Sequence, residues 1–214
     1  YKRLFSIRGD NLMSRTLEKL KKDENLTVEI LDLFPRQGEW TEEDYFNLLP
    51  ESNKIIELSE GRLIITPAPT TQHQKILGKL YFSICNYLLK NDLGEIIMAP
   101  TDVKLWEDNI RQPDIVFMSN EHSDRITERY WGVPDLVIEI LSEYTAKEDR
   151  VKKFFEYLRA GIYEYWIVDP FKQSIEIFTL ENEAYELFGK WCISETAKSK
   201  LLKGFEVAVD DVMA

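Results

Sequence analysis

The 214-residue chain is predicted to be an α/β protein with a mixed β-sheet flanked by helices. Three observations point there. Asp135–Leu141 and Tyr163–Asp169 are apolar, β-branched runs separated by a helical stretch, which is a βαβ unit with parallel strands and a right-handed crossover. A long amphipathic helix begins near Thr71. The runs Ser174–Leu180 and Ala184–Phe188 read as antiparallel additions after the βαβ unit.

From the N-terminus, Leu12, Leu17 and Leu20, then Val28, Leu31 and Leu33, give patches of helical periodicity that end at Pro35. Residues 1–38 are therefore assigned to a partly helical N-terminal extension and 39–214 to the main domain. Thr41 before Glu42, Glu43 and Asp44 is an N-cap followed by first-turn acids, predicting a short helix that stops before Pro50. Ile55–Leu58 and Leu63–Ile65 flank Ser59-Glu60-Gly61 and read as a hairpin. Thr71 and Gln74 are spaced as a capping box. After them Ile76, Leu77, Leu80, Tyr81, Ile84, Tyr87 and Leu88 keep helical spacing up to about Gly94. Short strand-like runs lie at Ile96–Met98, Val103–Trp106 and Ile115–Met118. A second capping box at Thr145 and Glu148 opens the crossover helix, with Gly161 as its stop. Tyr165 and Trp166 read as core.

Composition narrows the function. Hydrophobic residues at 44% and charged residues at 30% fit a soluble globular chain, and no apolar run is long enough for a bilayer. The net charge of −11 argues against a broadly basic nucleic-acid-coating surface, though not against a nuclease with an acidic metal site. Cys85 and Cys192 form no metal or disulfide framework, and Cys85 reads as core filling. With no secretory signal, the expected compartment is the cytoplasm.

Glu139 stands in the middle of Leu-Val-Ile-Glu-Ile-Leu. A carboxylate in a strand that is apolar on both faces needs a cation or donors to offset its desolvation. A buried salt bridge would suffice. Asp114, after Pro113 and before Ile115-Val116-Phe117-Met118, is a second acid at the start of another apolar strand. Two such carboxylates can converge on a hard divalent cation. On the helix after Glu139, the apolar arc is expected to run through Phe155, Val151, Leu158 and Phe154, extended by Tyr157. Lys153 and Lys152 then fall at its two margins, and periodicity does not choose between them.

Several segments occur in a telling order. They are Ile55-Ile56-Glu57-Leu58-Ser59-Glu60-Gly61-Arg62-Leu63, His73-Gln74, Gln112-Pro113-Asp114-Ile115-Val116-Phe117, Pro134 through Ser142, Asp149-Arg150, Lys153, Tyr157 and Gly161 through Pro170. Over about residues 40–210 this resembles the Uma-type family of restriction-endonuclease-like proteins, within the PD-(D/E)xK nuclease superfamily. The resemblance implies a restriction-endonuclease-like fold and Mg²⁺-dependent hydrolysis of DNA phosphodiester bonds, with Mn²⁺ able to substitute. Asp114 and Glu139 match the metal-holding acids. Leu141 stands where a strict E-x-K motif has lysine, and Lys153 matches the position to which the family moves it. Glu57 and His73 match further site positions. A homodimer is implied by analogy with nucleases that cut two strands, and no membrane association is expected. The alternatives are an inactive nuclease-fold module for DNA recognition or protein interaction, and a structural protein with two buried salt bridges.

Overall fold

A computed structural model describes residues 34–49 and 55–214, so the helical patches expected at 12–33 lie outside the described residues. The fold class is the expected one: a mixed sheet flanked by helices.

The main sheet has six strands. In chain order they are β3 (Gly94–Met98), β6 (Ile115–Ser119), β7 (Leu136–Ile140), β8 (Glu164–Asp169), β9 (Ser174–Glu181) and β10 (Ala184–Cys192), arranged β10-β9-β8-β7-β6-β3. The β7–β8 pair is parallel, as the βαβ reading requires, and the other pairs are antiparallel. Strand alternation assigns the two faces. Ile115, Phe117, Leu136, Ile138 and Ile140 pack beneath helix α2 (Thr71–Asn91), through Ile76, Leu80 and Ile84, and beneath the C-terminal residues Leu202, Phe205 and Val207. Val116, Met118, Val137, Leu141, Tyr165 and Ile167 form the core of the opposite face, with Tyr157. Glu139 shares the parity of Val137, and Asp114 that of Val116, so both acids belong to this second face.

A smaller antiparallel sheet, ordered β2-β1-β5-β4, stands beside it. Its strands are β1 (Ile55–Ser59), β2 (Arg62–Thr66), β4 (Val103–Trp106) and β5 (Asn109–Arg111). The β1–β2 hairpin turns through Glu60 at φ 53° and Gly61 at φ 69°, both left-handed as a tight two-residue hairpin requires. A side chain at Gly61 would also meet the Gly38 carbonyl oxygen at 2.6 Å. Leu58 pairs with Ile110, and continuing that register sets Glu57 across from Arg111.

Helix α1 (Glu42–Leu48) is capped by Thr41 and Asp44 as expected. The cap of α2 is Thr70, whose side chain accepts from the His73 N–H, so the expected Thr71–Gln74 box is not formed. Asp92, left-handed at φ 50°, ends α2 just before the predicted stop. The Thr145–Glu148 box is also replaced. Ser142 and Thr145 exchange hydrogen bonds across the turn, and Glu148 turns to Arg111 instead. Cys85 is half-buried, not core, whereas Tyr165 and Trp166 are fully enclosed.

Candidate active site

The crossover helix is not a regular α-helix. Its first part, Glu148–Lys153, is a π-helical turn, which continues into α3 (Phe154–Ala160). A π-turn inserts an extra residue into the i→i−4 ladder and rotates everything after it. The expected apolar arc holds only in part: Tyr157 is buried and Phe154 packs against the core, but Val151 is 50% and Phe155 62% exposed, while Asp149, Lys153 and Glu156 are buried. The wide turn aims a charged stripe at the sheet, and Lys153, not Lys152, reaches the acids. Lys152 lies 3.5 Å from exposed Glu60.

At the centre, the Lys153 ammonium is 2.8 Å from Glu139 Oε1, 3.1 Å from Glu57 Oε1 and 3.5 Å from Asp149 Oδ1. The Tyr157 hydroxyl donates to the same Glu139 oxygen at 2.6 Å. Just before β6, Asp114 Oδ2 accepts the Ile140 N–H at 2.7 Å, which locks it beside the residue after Glu139. His73, in the first turn of α2, faces that oxygen through Nε2 at 3.2 Å. The structure thus gathers Asp114, Glu139, Lys153, Glu57 and His73 into one buried, connected cluster.

Arg111, Glu156, Asp149 and Tyr157 were not singled out as polar site groups from sequence. Arg111 is fully buried and donates to Glu57 at 2.9 Å, Glu156 at 2.6 Å and Glu148 at 3.1 Å. Ser59 and Asn109 complete the polar floor by donating to Glu156. The available signal was Asn109-Ile110-Arg111, whose polar residues alternate around an apolar one in a three-residue strand.

Charge in this cluster is unevenly shared. Burial would push Glu57 up, but Lys153 and Arg111 hold it down at about 2. Glu139 is pushed up to about 8: burial dominates, Lys153 opposes it, and the charges of Asp149, Asp114 and Glu57 add to it. Burial alone would lower Lys153, yet Glu139, Glu57 and Asp149 raise it well above the ordinary range, so it is a fixed cation and not a base. His73 moves up because its contact with Asp114 outweighs burial.

The comparisons with known proteins agree with this architecture. A family model described as "Uma2: Putative restriction endonuclease" matches residues 42–210. The chain belongs to the Uma2 family. No curated protein matches it. Among solved structures, one described as "a putative nuclease belonging to DUF820", from Anabaena variabilis ATCC 29413, is similar with a TM-score of 0.66 and 20% identity. The similarity covers 79% of this chain and 96% of that one, and at this identity it shows the shared fold alone. No helix among the described residues is long and apolar enough to cross a membrane.

The Uma2 site has a consequence for metal-free stability. The folded chain keeps the Glu139 proton up to about pH 8, whereas the unfolded chain releases it near 4.5. Between those values the native state binds more protons, so this group's contribution to stability falls as pH rises through the window. The slope is on the order of 1 kcal/mol per pH unit. Melting temperatures of chelator-treated protein at pH 5 and pH 8 should differ in that sense, and Glu139→Gln should shrink the difference.

Proposed function

We propose that this Uma2 chain is a Mg²⁺-dependent endonuclease that hydrolyses DNA phosphodiester bonds, with Asp114, Glu139 and Lys153 as its central catalytic residues. The observation that carries the reading is the pairing of Lys153 with Glu139 directly beside Asp114. Each acid spends one oxygen on the protein. Asp114 Oδ2 takes the Ile140 amide and Glu139 Oε1 takes Lys153 and Tyr157, while Asp114 Oδ1 and Glu139 Oε2 have no donor among the described residues.

Those two oxygens fit a hard divalent cation, which takes oxygen ligands and commonly one or two carboxylates. The electrostatics fit as well, because Glu57, Asp114, Glu139 and Asp149 outnumber Lys153 and Arg111 in the cluster. Among the described residues no three His, Cys, Asp or Glu side chains form a complete cage, so water and phosphate oxygens would supply the remaining ligands. When bound there, Mg²⁺ supplies charge to polarise the scissile phosphate and to lower the pKa of the attacking water.

The protein's own groups do the rest. Glu57 and Asp149 hold the Lys153 ammonium against Glu139, which keeps it charged and fixed. From there it orients the attacking water and offsets the negative charge that develops on phosphate. Glu139 is set within β7, and Asp114, just before β6, is pinned to the same strand by the Ile140 amide. His73 lies within reach of Asp114 and is a further catalytic group at the rim. Cutting both strands calls for two such sites, and a homodimer belongs to this reading.

Incubating plasmid with the protein, with Mg²⁺ or with a chelator, tests the function. Nicking or linearisation only with the metal is expected, and binding without cutting under Mg²⁺ and Mn²⁺ would replace the enzyme by a recognition module. A second readout is independent of turnover. Mn²⁺ should raise the melting temperature of the wild type, by the equivalent of about 3 kcal/mol at a hundredfold excess over Kd. It should raise that of Asp114→Asn much less.

A further inference from the structure

Beside the acidic cluster lies a cavity of about 630 Å³ that the hydrolytic reading does not use. It opens between α1, the start of β4 and residues 127–131. Its size is that of a small-molecule site. One wall is a flat stack: the Phe46 and Tyr130 rings lie 5.8 Å apart at 24°, and the Arg129 guanidinium sits 4.1 Å from the Phe46 centroid. The Lys104 ammonium lies 5.6 Å from the Tyr130 centroid. The facing wall is polar. Asp102 Oδ1 accepts from the Tyr45 hydroxyl at 2.8 Å and the Gln112 side-chain amide at 2.7 Å. Its other oxygen has no donor among the described residues, and Gln112 Oε1 is enclosed without a partner.

This wall is continuous with the acidic cluster. The Gln112 N–H donates to Glu57 at 2.9 Å, and Gln112 stands two residues before Asp114. Pro100, on the cavity wall, follows Ala99, whose N–H donates to the Asp114 carbonyl at 3.0 Å. Gln112 and Pro100 thus join the cavity wall to the backbone that holds Asp114.

We propose that the cavity takes one unstacked base of the nucleic-acid substrate, next to the cut, and prefers bases carrying an exocyclic amino group. The inference rests on the DNA reading above. Aromatic faces and a guanidinium plane stack with any base. The Asp102 oxygen without a donor adds an acceptor, which meets the amino group of cytosine but faces the carbonyl oxygens that flank the lone N–H of thymine.

The test is fluorescence anisotropy in chelator, with labelled oligodeoxycytidylate, oligothymidylate and an abasic oligomer of equal length. Wild-type protein is expected to bind the cytidine strand about tenfold tighter than the abasic one, the size of a single base–aromatic stack, and tighter than the thymidine strand. Arg129→Ala, at an exposed position, should lose most of the gain over the abasic strand, and Asp102→Asn should narrow the cytidine-to-thymidine ratio. Equal binding of abasic and cytidine strands, or an unchanged ratio in Asp102→Asn, overturns the proposal. Metal-dependent plasmid cutting by a protein that binds without base dependence would sink the cavity and spare the nuclease. Base-dependent binding without cutting would do the reverse.

Discussion

Replacing Glu139 by alanine is expected to lower plasmid cleavage about 10³-fold or more, the scale of losing a group that stabilises charge at the reacting centre. The loss should be chemical and not structural. Lys153 keeps Glu57 at 3.1 Å and Asp149 at 3.5 Å when Glu139 is gone, so no buried cation is stranded. The carboxyl removed is one that burial and neighbouring acids already push up to about 8. Metal-free melting of Glu139→Ala should therefore stay within a few degrees of the wild type while activity vanishes. Retained cleavage in the variant, measured under Mg²⁺ at equal protein, would remove Glu139 from the reaction.

Arg111→Ala is expected to act in the opposite manner, by unfolding. Arg111 is fully enclosed and is the shared partner of Glu57, Glu156 and the half-exposed Glu148. Its removal leaves buried carboxylates facing one another, and breaking a buried ion pair from one side costs about 3–5 kcal/mol. That is a large share of the ~5–15 kcal/mol that holds a domain together. The Glu57 carboxyl, held at about 2 by Lys153 and Arg111 against the effect of burial, should move up toward its ordinary range. Urea denaturation of the variant should show a sharply lower midpoint with a similar slope. An unchanged midpoint would mean that water, not protein, satisfies these acids. Comparing the two variants separates the group that works from the group that carries its neighbours.

Much of this arrangement was legible in the sequence because strands obey a short, strict period. An acid in Leu-Val-Ile-Glu-Ile-Leu has to be met by something, and a second acid before another apolar strand can converge with it on one cation; that they share a face follows only from the register that sets Val116 across from Val137. The family resemblance then supplied the lysine. Helical periodicity could not, since it assumes 3.6 residues per turn and the stretch from Glu148 to Lys153 does not have them. The hydrophobic pattern misled in the same place: Val151 and Phe155 look like a buried stripe and face outward. Arg111 escaped notice because a strand of three residues shows no period, and its partners lie 37 to 54 residues away. Both misplaced capping boxes had acceptable spacing, but at each turn a nearby hydroxyl, Thr70 or Ser142, took the backbone instead.

The wide turn before α3 also bears on how relatives are to be aligned. Between the strand acid and the ammonium the chain carries one residue more than an even coil would use, so matching by residue type alone can pair Lys152 of this protein with its neighbour's true counterpart. Family members with an ordinary coil should show a one-position gap here, and their basic residue should sit at a different offset from the acid while occupying the same place in space.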